Sequence, residues 1–445
     1  MSLNKKVGVF AGAASAAFAG MSYAGGVTPS DSDARIAALE QQIAEIKADS
    51  GSWLTSNEEQ LRALVQDVIA DSETRTSLLQ NGANAGYDNG FFIANDDGSF
   101  YMNIYLQSQF RWVWNSREEA GTGELEDNFG FENRRTKIGF KGNAFGDEFT
   151  YKIQGGFDRD GGTFVLEDAW GAYDLGDGWE FQWGQFKAPF TREELISSMH
   201  QLAVDRSLVN ELVTGDRTQG VMLNYEGDTM RMNFAYTDGW MPSTTGGLAG
   251  SNANTSWATP TTEYAITARA EGLLAGNSFK QFDDYTSWSD DEFGWLLGGA
   301  VHFQDTRSTG LDTESFLWTI DTQAEFGGSN VAAWVVGAHT DTEGSGANYD
   351  QIGWVAQGGF FVQPDQLELF GRYEWYDFDG AASEDASLFT VGFNYYFEGH
   401  NWKWTTDFVY ALDPVSASAP QIGLLADPGT EDEQMALRCQ MQFQF

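Results

Sequence analysis

The chain has 445 residues, with 65 Asp and Glu against 25 Lys and Arg, for a formal net charge of −40. That balance excludes nucleic-acid binding as a main role. A single cysteine, Cys439, excludes an intrachain disulfide framework. No stretch of about 18 uninterrupted apolar residues is present, which argues against a transmembrane helix.

The N-terminus carries Lys5 and Lys6, then an apolar run from Val7 to Gly20, then Ser22-Tyr23-Ala24. A charged start, an apolar centre and a small-x-small site predict a secretory signal peptide over residues 1–24. Two lysines and no acid precede residue 25, so cleavage takes the net charge to −42. Residues 25–82 are expected to be helical and periplasmic. Ile36, Leu39, Ile43 and Ile46 are spaced 3, 4, 3, as in a coiled-coil seam that permits a trimer, and the alternative is one amphipathic helix. Ser56-Asn57-Glu58-Glu59 is a capping box opening a second helix that runs to about Gln80. The Gly-, Asn- and Asp-rich stretch 83–99 is expected to be a linker.

From residue 100 the apolar period changes to two. Phe149, Tyr151, Ile153, Gly155 and Phe157 alternate with Thr150, Lys152, Gln154, Gly156 and Asp158. Sixteen such segments are predicted: 100–113, 129–141, 148–158, 164–174, 179–187, 218–226, 229–238, 262–272, 292–305, 315–326, 330–341, 350–362, 366–377, 386–397, 401–411 and 433–445. Tight turns such as Phe145-Gly146-Asp147 and Glu226-Gly227-Asp228 follow most even segments. Long connections follow most odd ones, the longest at 114–128, 188–217, 239–261 and 412–432. Sorting of short turns to one side and long loops to the other fits a sixteen-stranded antiparallel transmembrane β-barrel over 100–445, not a soluble sandwich. The aromatic content, 15% of residues, suits girdles at two membrane interfaces. The stretch 273–291 breaks the rule, being long on the short side. In the last segment Leu437, Cys439, Met441, Phe443 and Phe445 share one face, and Arg438, Gln440, Gln442 and Gln444 the other.

Thirteen of the 25 bases fall between residues 111 and 231. A base facing lipid at mid-depth costs about 2–4 kcal/mol. Residues opposite apolar neighbours are therefore assigned to the lumen: Arg111, Arg135, Lys137, Lys141, Lys152, Arg231, Arg269, Arg372 and Arg438. The connection 188–217 is long enough to be functional. Folded inward, it would narrow the channel and bring Lys187, Arg192, Arg206 and Arg217 to the constriction. Such bases either favour anions or balance lumen acids such as Asp321, Glu325, Glu368 and Glu374.

At these residues the chain resembles the phosphate-selective porin O and P family. The resemblance lies in Arg134-Arg135-Thr136-Lys137-Ile138-Gly139-Phe140-Lys141-Gly142, Glu167-Asp168-Ala169-Trp170, Gly184-Gln185-Phe186-Lys187-Ala188-Pro189-Phe190 and Asp205-Arg206-Ser207-Leu208. It implies a trimeric sixteen-stranded barrel whose third long loop, here 188–217, folds inward. The N-terminal extension is similar to that of porins of planctomycete type. The expected role is passive diffusion of small anionic or neutral solutes across an outer membrane, as a homotrimer in the lipid bilayer, with cell-wall contact through residues 31–80. No cofactor, metal or enzymatic activity is expected: His200, His302, His339 and His400 accompany no nucleophile motif. The alternative is a structural, surface-organising barrel with little transport.

Overall fold

The computed structural model describes residues 84–87 and 90–445, apart from 119–124, 242–249, 259–261, 309–310, 344–346, 379–384, 414, 416–421 and 426–433, together with 37, 38, 40 and 41. Residues 37, 38, 40 and 41 are helical. The signal peptide, all four residues of the coiled-coil seam and the second helix lie outside the described residues.

Sixteen strands form the barrel: β3 (Tyr101–Glu118), β4 (Leu125–Asn143), β5 (Phe149–Phe157), β6 (Phe164–Gly176), β7 (Trp179–Lys187), β8 (Arg217–Glu226), β9 (Met230–Thr237), β12 (Thr262–Ala275), β13 (Gly294–Ser308), β14 (Leu311–Glu325), β15 (Ser329–Thr342), β16 (Ala347–Gln363), β17 (Leu367–Asp377), β18 (Ala386–Glu398), β19 (Trp402–Ala411) and β20 (Gln434–Gln444). Each pairs antiparallel with its sequence neighbour. Closure comes from β20 against β3, from Gln434↔Arg117 to Gln444↔Gln107. All sixteen predicted segments therefore correspond to barrel strands. A short ribbon, β10 (Trp240–Met241) with β11 (Gly250–Ser251), lies in the connection between β9 and β12.

Period-two alternation places the apolar side chains outward. Ile320, Val331, Phe360, Trp404 and Phe443 are exposed on the barrel's outer face, as a lipid-facing surface requires. Arg438, Gln440 and Gln442 are buried on the other face. Aromatic side chains cluster outside near the short turns, where Phe145, Trp179, Trp295, Phe326, Trp402 and Phe445 are exposed.

Three expectations change. The stretch 83–99 is not simply a linker: β1 (Asn84–Tyr87) and β2 (Phe91–Ala94) form a hairpin, and β2 pairs with β3 from Phe91↔Ile104 to Ala94↔Tyr101. This occupies the part of the β3 edge that β20 is too short to reach. The predicted loop 114–128 is mostly strand, because β3 and β4 continue to Glu118 and from Leu125. The long connection after β12, the exception in length at 273–291, is a packed segment and adds no strand between Ala275 and Gly294. It holds a 3₁₀ turn, Phe279–Phe282, and buries Phe279, Phe282, Tyr285, Thr286 and Ser287.

Candidate functional site

The lumen is filled on one side and open on the other. The connection between β7 and β8 folds into the barrel and contains two short helices, α1 (Arg192–Leu195), capped by Thr191, and α2 (Leu208–Val213), capped by Ser207. Each cap side chain accepts a backbone N–H of the first turn, leaving fewer orphan donors. Leu208, Val209, Leu212 and Val213 are buried in one cluster with Leu317, Trp334, Val336, Val355, Phe370 and Tyr376 of the wall. These wall residues are apolar yet face inward, against the simple rule that apolar side chains face lipid. The reason is that they meet the loop and not water. Burying each of the four loop side chains contributes about 1.5–3 kcal/mol.

Polar anchors fix the loop's register. Wall side chains bond its backbone: Lys403 Nζ donates to Gln201 O (2.7 Å), Asn394 Nδ2 to Leu202 O (3.0 Å), Gln442 Nε2 to Met199 O (2.9 Å) and Arg372 Nη1 to Asp205 O (2.9 Å). Val204 N donates to Asp407 Oδ2 (2.9 Å), and Asp407 is paired with Arg438. The connection after β12 enters from the short-turn end and meets the loop. Arg192 donates to Phe282 O, and Gln323 Nε2 donates to Asp284 O at 2.8 Å.

Three arginines converge on Asp205. Its carboxylate accepts from Arg111 and, at 3.1 Å, from Arg135 Nη1, and lies 3.3 Å from Arg134 Nε. Burial alone would raise this carboxyl, but Arg111, Arg134 and Arg135 hold it well below the usual carboxylate range. Arg134 and Arg135 are consecutive, so strict alternation would aim one at lipid. A β-bulge resolves this: Gln109 pairs with Arg135 and Phe110 with Asn133, leaving Arg134 as the extra residue. A second bulge does the same for acids. Gln154 pairs with Asp168 and Gly155 with Leu166, so Glu167 is extra. Glu167 then reaches Lys137 (2.7 Å), and Asp168 reaches Lys152 (2.8 Å) and Arg217 (3.2 Å). Gly184 in β7 has φ +123°, and a Cβ there would stand 2.2 Å from Ala169 O. Only glycine permits that approach of β7 to β6.

The remaining expected bases separate into two groups. Arg269 pairs with Glu271 (2.6 Å) and Asp321 (2.8 Å), Arg372 with Glu374 (3.2 Å) and Arg438 with Asp407 (2.7 Å), and all three arginines are buried under the loop. Arg192 lies 3.4 Å from Glu271, which also pairs with Arg231. Lys141 sits 5.7 Å from the Tyr105 ring centroid. Two cavities flank the loop on the open side. The one toward the long loops, about 430 Å³, is lined by Arg134, Arg135, Lys137, Lys152, Arg159, Lys187, Arg206 and Arg217 and by five acids. The one toward the short turns, about 800 Å³, is lined by Lys187, Arg192 and Arg231 and by seven acids. Lys187, Leu195 and Ser197 line both. Arg134, Asp205 and Glu194 were not singled out by alternation. The Arg134-Arg135 pair itself was the available signal, since two adjacent bases in a membrane strand require a bulge.

The four histidines occupy three separate places. His302 is buried and stacked on Trp240 at 3.7 Å, His339 pairs with Asp350 at 2.7 Å, and His200 lies against His400 at 4.6 Å. No group of three or more His, Cys, Asp or Glu residues that could hold a metal ion occurs among the described residues.

A closed sixteen-stranded barrel, apolar outside and charged within, with a long loop packed inside it, defines an outer-membrane porin. Over residues 106–445 the sequence matches the family described as Phosphate-selective porin O and P, and the chain belongs to it. Its fold is similar to an anion-selective porin from Comamonas acidovorans, at 12% identity and TM-score 0.55, covering 77% of this chain and 99% of that one. It is also similar to the outer membrane channel DcaP of Acinetobacter baumannii, at 14% identity and TM-score 0.51, covering 80% and 99%. No curated protein matches the chain by sequence.

Proposed function

We propose that this porin is a passive, anion-preferring channel for small hydrophilic solutes. The path runs along the wall of β4–β9, from the cavity facing the long loops, past Lys187, Leu195 and Ser197, to the cavity facing the short turns. One observation carries the preference: the surface leading to the neck presents eight bases against five acids, and Lys187 stands at the neck itself. In a narrow passage where water is partly excluded, such a surface raises the local anion concentration and repels cations. Of the thirteen expected pore bases, Arg135, Lys137, Lys152, Lys187, Arg206 and Arg217 line this approach, and Arg192 and Arg231 the exit. Arg269, Arg372 and Arg438 serve instead to seat the loop. Passage needs no catalysis. The molecule acts as a homotrimer in the outer membrane, with the helical extension on the periplasmic side and in contact with the cell wall.

The test is the reversal potential of single channels in a planar bilayer under a KCl gradient. The expected result is reversal on the chloride side, shifted toward potassium by Lys187→Glu. Reversal on the potassium side in the unaltered protein would overturn the anion preference. Absence of conductance steps would favour a structural barrel with little transport.

A further inference from the structure

The balance of charged residues lining the proposed path changes sign along it, from seven acids against three bases near the short turns to five against eight near the long loops. On β5, β7 and β8 the residues nearest the short turns line one cavity and those nearest the long loops the other. In the turn-side cavity Asp147, Glu148, Asp174, Glu180, Glu226 and Asp283 make no ion pair among the described residues. Its three bases are all engaged: Lys187 with Glu194, and Arg192 and Arg231 with Glu271. That chamber therefore holds an excess of fixed negative charge. The loop-side chamber is lined by eight bases against five acids; of those acids Glu167, Asp216 and Asp160 pair with Lys137, Arg217 and Arg159, while the partners of the other bases, Asp205, Asp168 and Glu194, are buried behind the lining. The two chambers share only the Lys187, Leu195 and Ser197 neck among their lining residues.

We propose that the pore is a rectifier, in which an anion-filled chamber and a cation-filled chamber meet at the Lys187 neck. Fixed charge draws the opposite mobile ion into each chamber. A voltage positive on the short-turn side drives cations out of the acidic chamber and anions out of the basic one, toward the neck, and both accumulate there. The reverse voltage pulls both away and depletes the neck of carriers. Conductance is then larger in one direction than in the other. The effect requires chambers no wider than the screening distance, which is about 10 Å at 0.1 M salt and about 3 Å at 1 M.

This inference rests on the chain being a channel, and the experiment separates the two. Purified full-length protein is added to a planar bilayer, and single-channel current is recorded against voltage in symmetrical KCl at about 0.1 M and about 1 M. At the lower salt the larger polarity should carry roughly twice the current of the smaller, with the ratio approaching one at the higher salt as screening shortens. The combined variant Asp147→Asn, Glu180→Gln, Glu226→Gln should lose most of the asymmetry while keeping its conductance steps, and its reversal potential under a gradient should move further toward chloride. A straight current–voltage curve at low salt, with steps and chloride-side reversal intact, would overturn the rectifier and leave the channel standing. Asymmetry that survives both the triple variant and high salt would overturn the charge junction as its cause. Absence of steps in every recording would remove the channel and the rectifier together.

Discussion

Asp205 is the residue on which the inner loop turns. It is 2% exposed and faces Arg111, Arg134 and Arg135, and its backbone carbonyl is held by Arg372. Replacing it with Ala leaves three close guanidinium groups without their shared anion. Removing one partner of a buried charge cluster costs about 3–5 kcal/mol. The expected phenotype of Asp205→Ala is a barrel that still forms but a loop that no longer stays seated. Limited proteolysis in detergent should cut within 188–216, and single-channel traces should flicker between levels. An uncut loop with a quiet open level would refute the anchoring role. Its proton affinity is depressed, so its contribution to seating the loop is complete above its ordinary pKa and is lost as pH falls from there through the lower folded value.

At the scale of elements, the loop carries a second titration of opposite sign. Burial pushes Glu193 and Glu194 up to about 7, despite nearby Arg372 and Arg206. A carboxyl with a raised value favours the seated loop through its protonated form. That contribution is complete below its ordinary value of 4.5 and is lost as pH rises through about 7. Open-channel noise should therefore grow between about pH 6 and pH 8, and Glu193→Gln with Glu194→Gln should flatten the trend. Noise independent of pH in the unaltered protein would count against it. The strands were readable from sequence because lipid on one side and water on the other enforce alternation, as in Phe149–Phe157. Much of the site was not readable. Trp334, Val336 and Val355 break the alternation because a loop from elsewhere in the chain covers them. The bulges at Arg134 and Glu167 doubled a charge on one face. The segment after β12 was visible only as an exception in length, because its partners Arg192 and Gln323 are distant in sequence.

The whole molecule joins this barrel to an N-terminal segment whose heptad spacing permits a three-stranded coil. Deletion of 25–82 is expected to weaken trimers on native gels while leaving single barrels able to conduct. Trimers of unchanged stability would remove the coil from assembly. The barrel's closing seam has a further consequence, and it is mechanical. The β3 edge is shared by β20 along Gln107–Arg117 and by β2 along Tyr101–Ile104. Since β1 starts beside Ala94 and runs antiparallel to β2, tension applied at Asn84 along the strand axis pulls β1 lengthwise past its partner. The four residue pairs of the hairpin then bear the load together, in shear, and do not open one after another like a zip. A tug on the chain ahead of the barrel is thus passed to the wall through the strand that also closes it, which makes the seam a point of attachment as well as a joint.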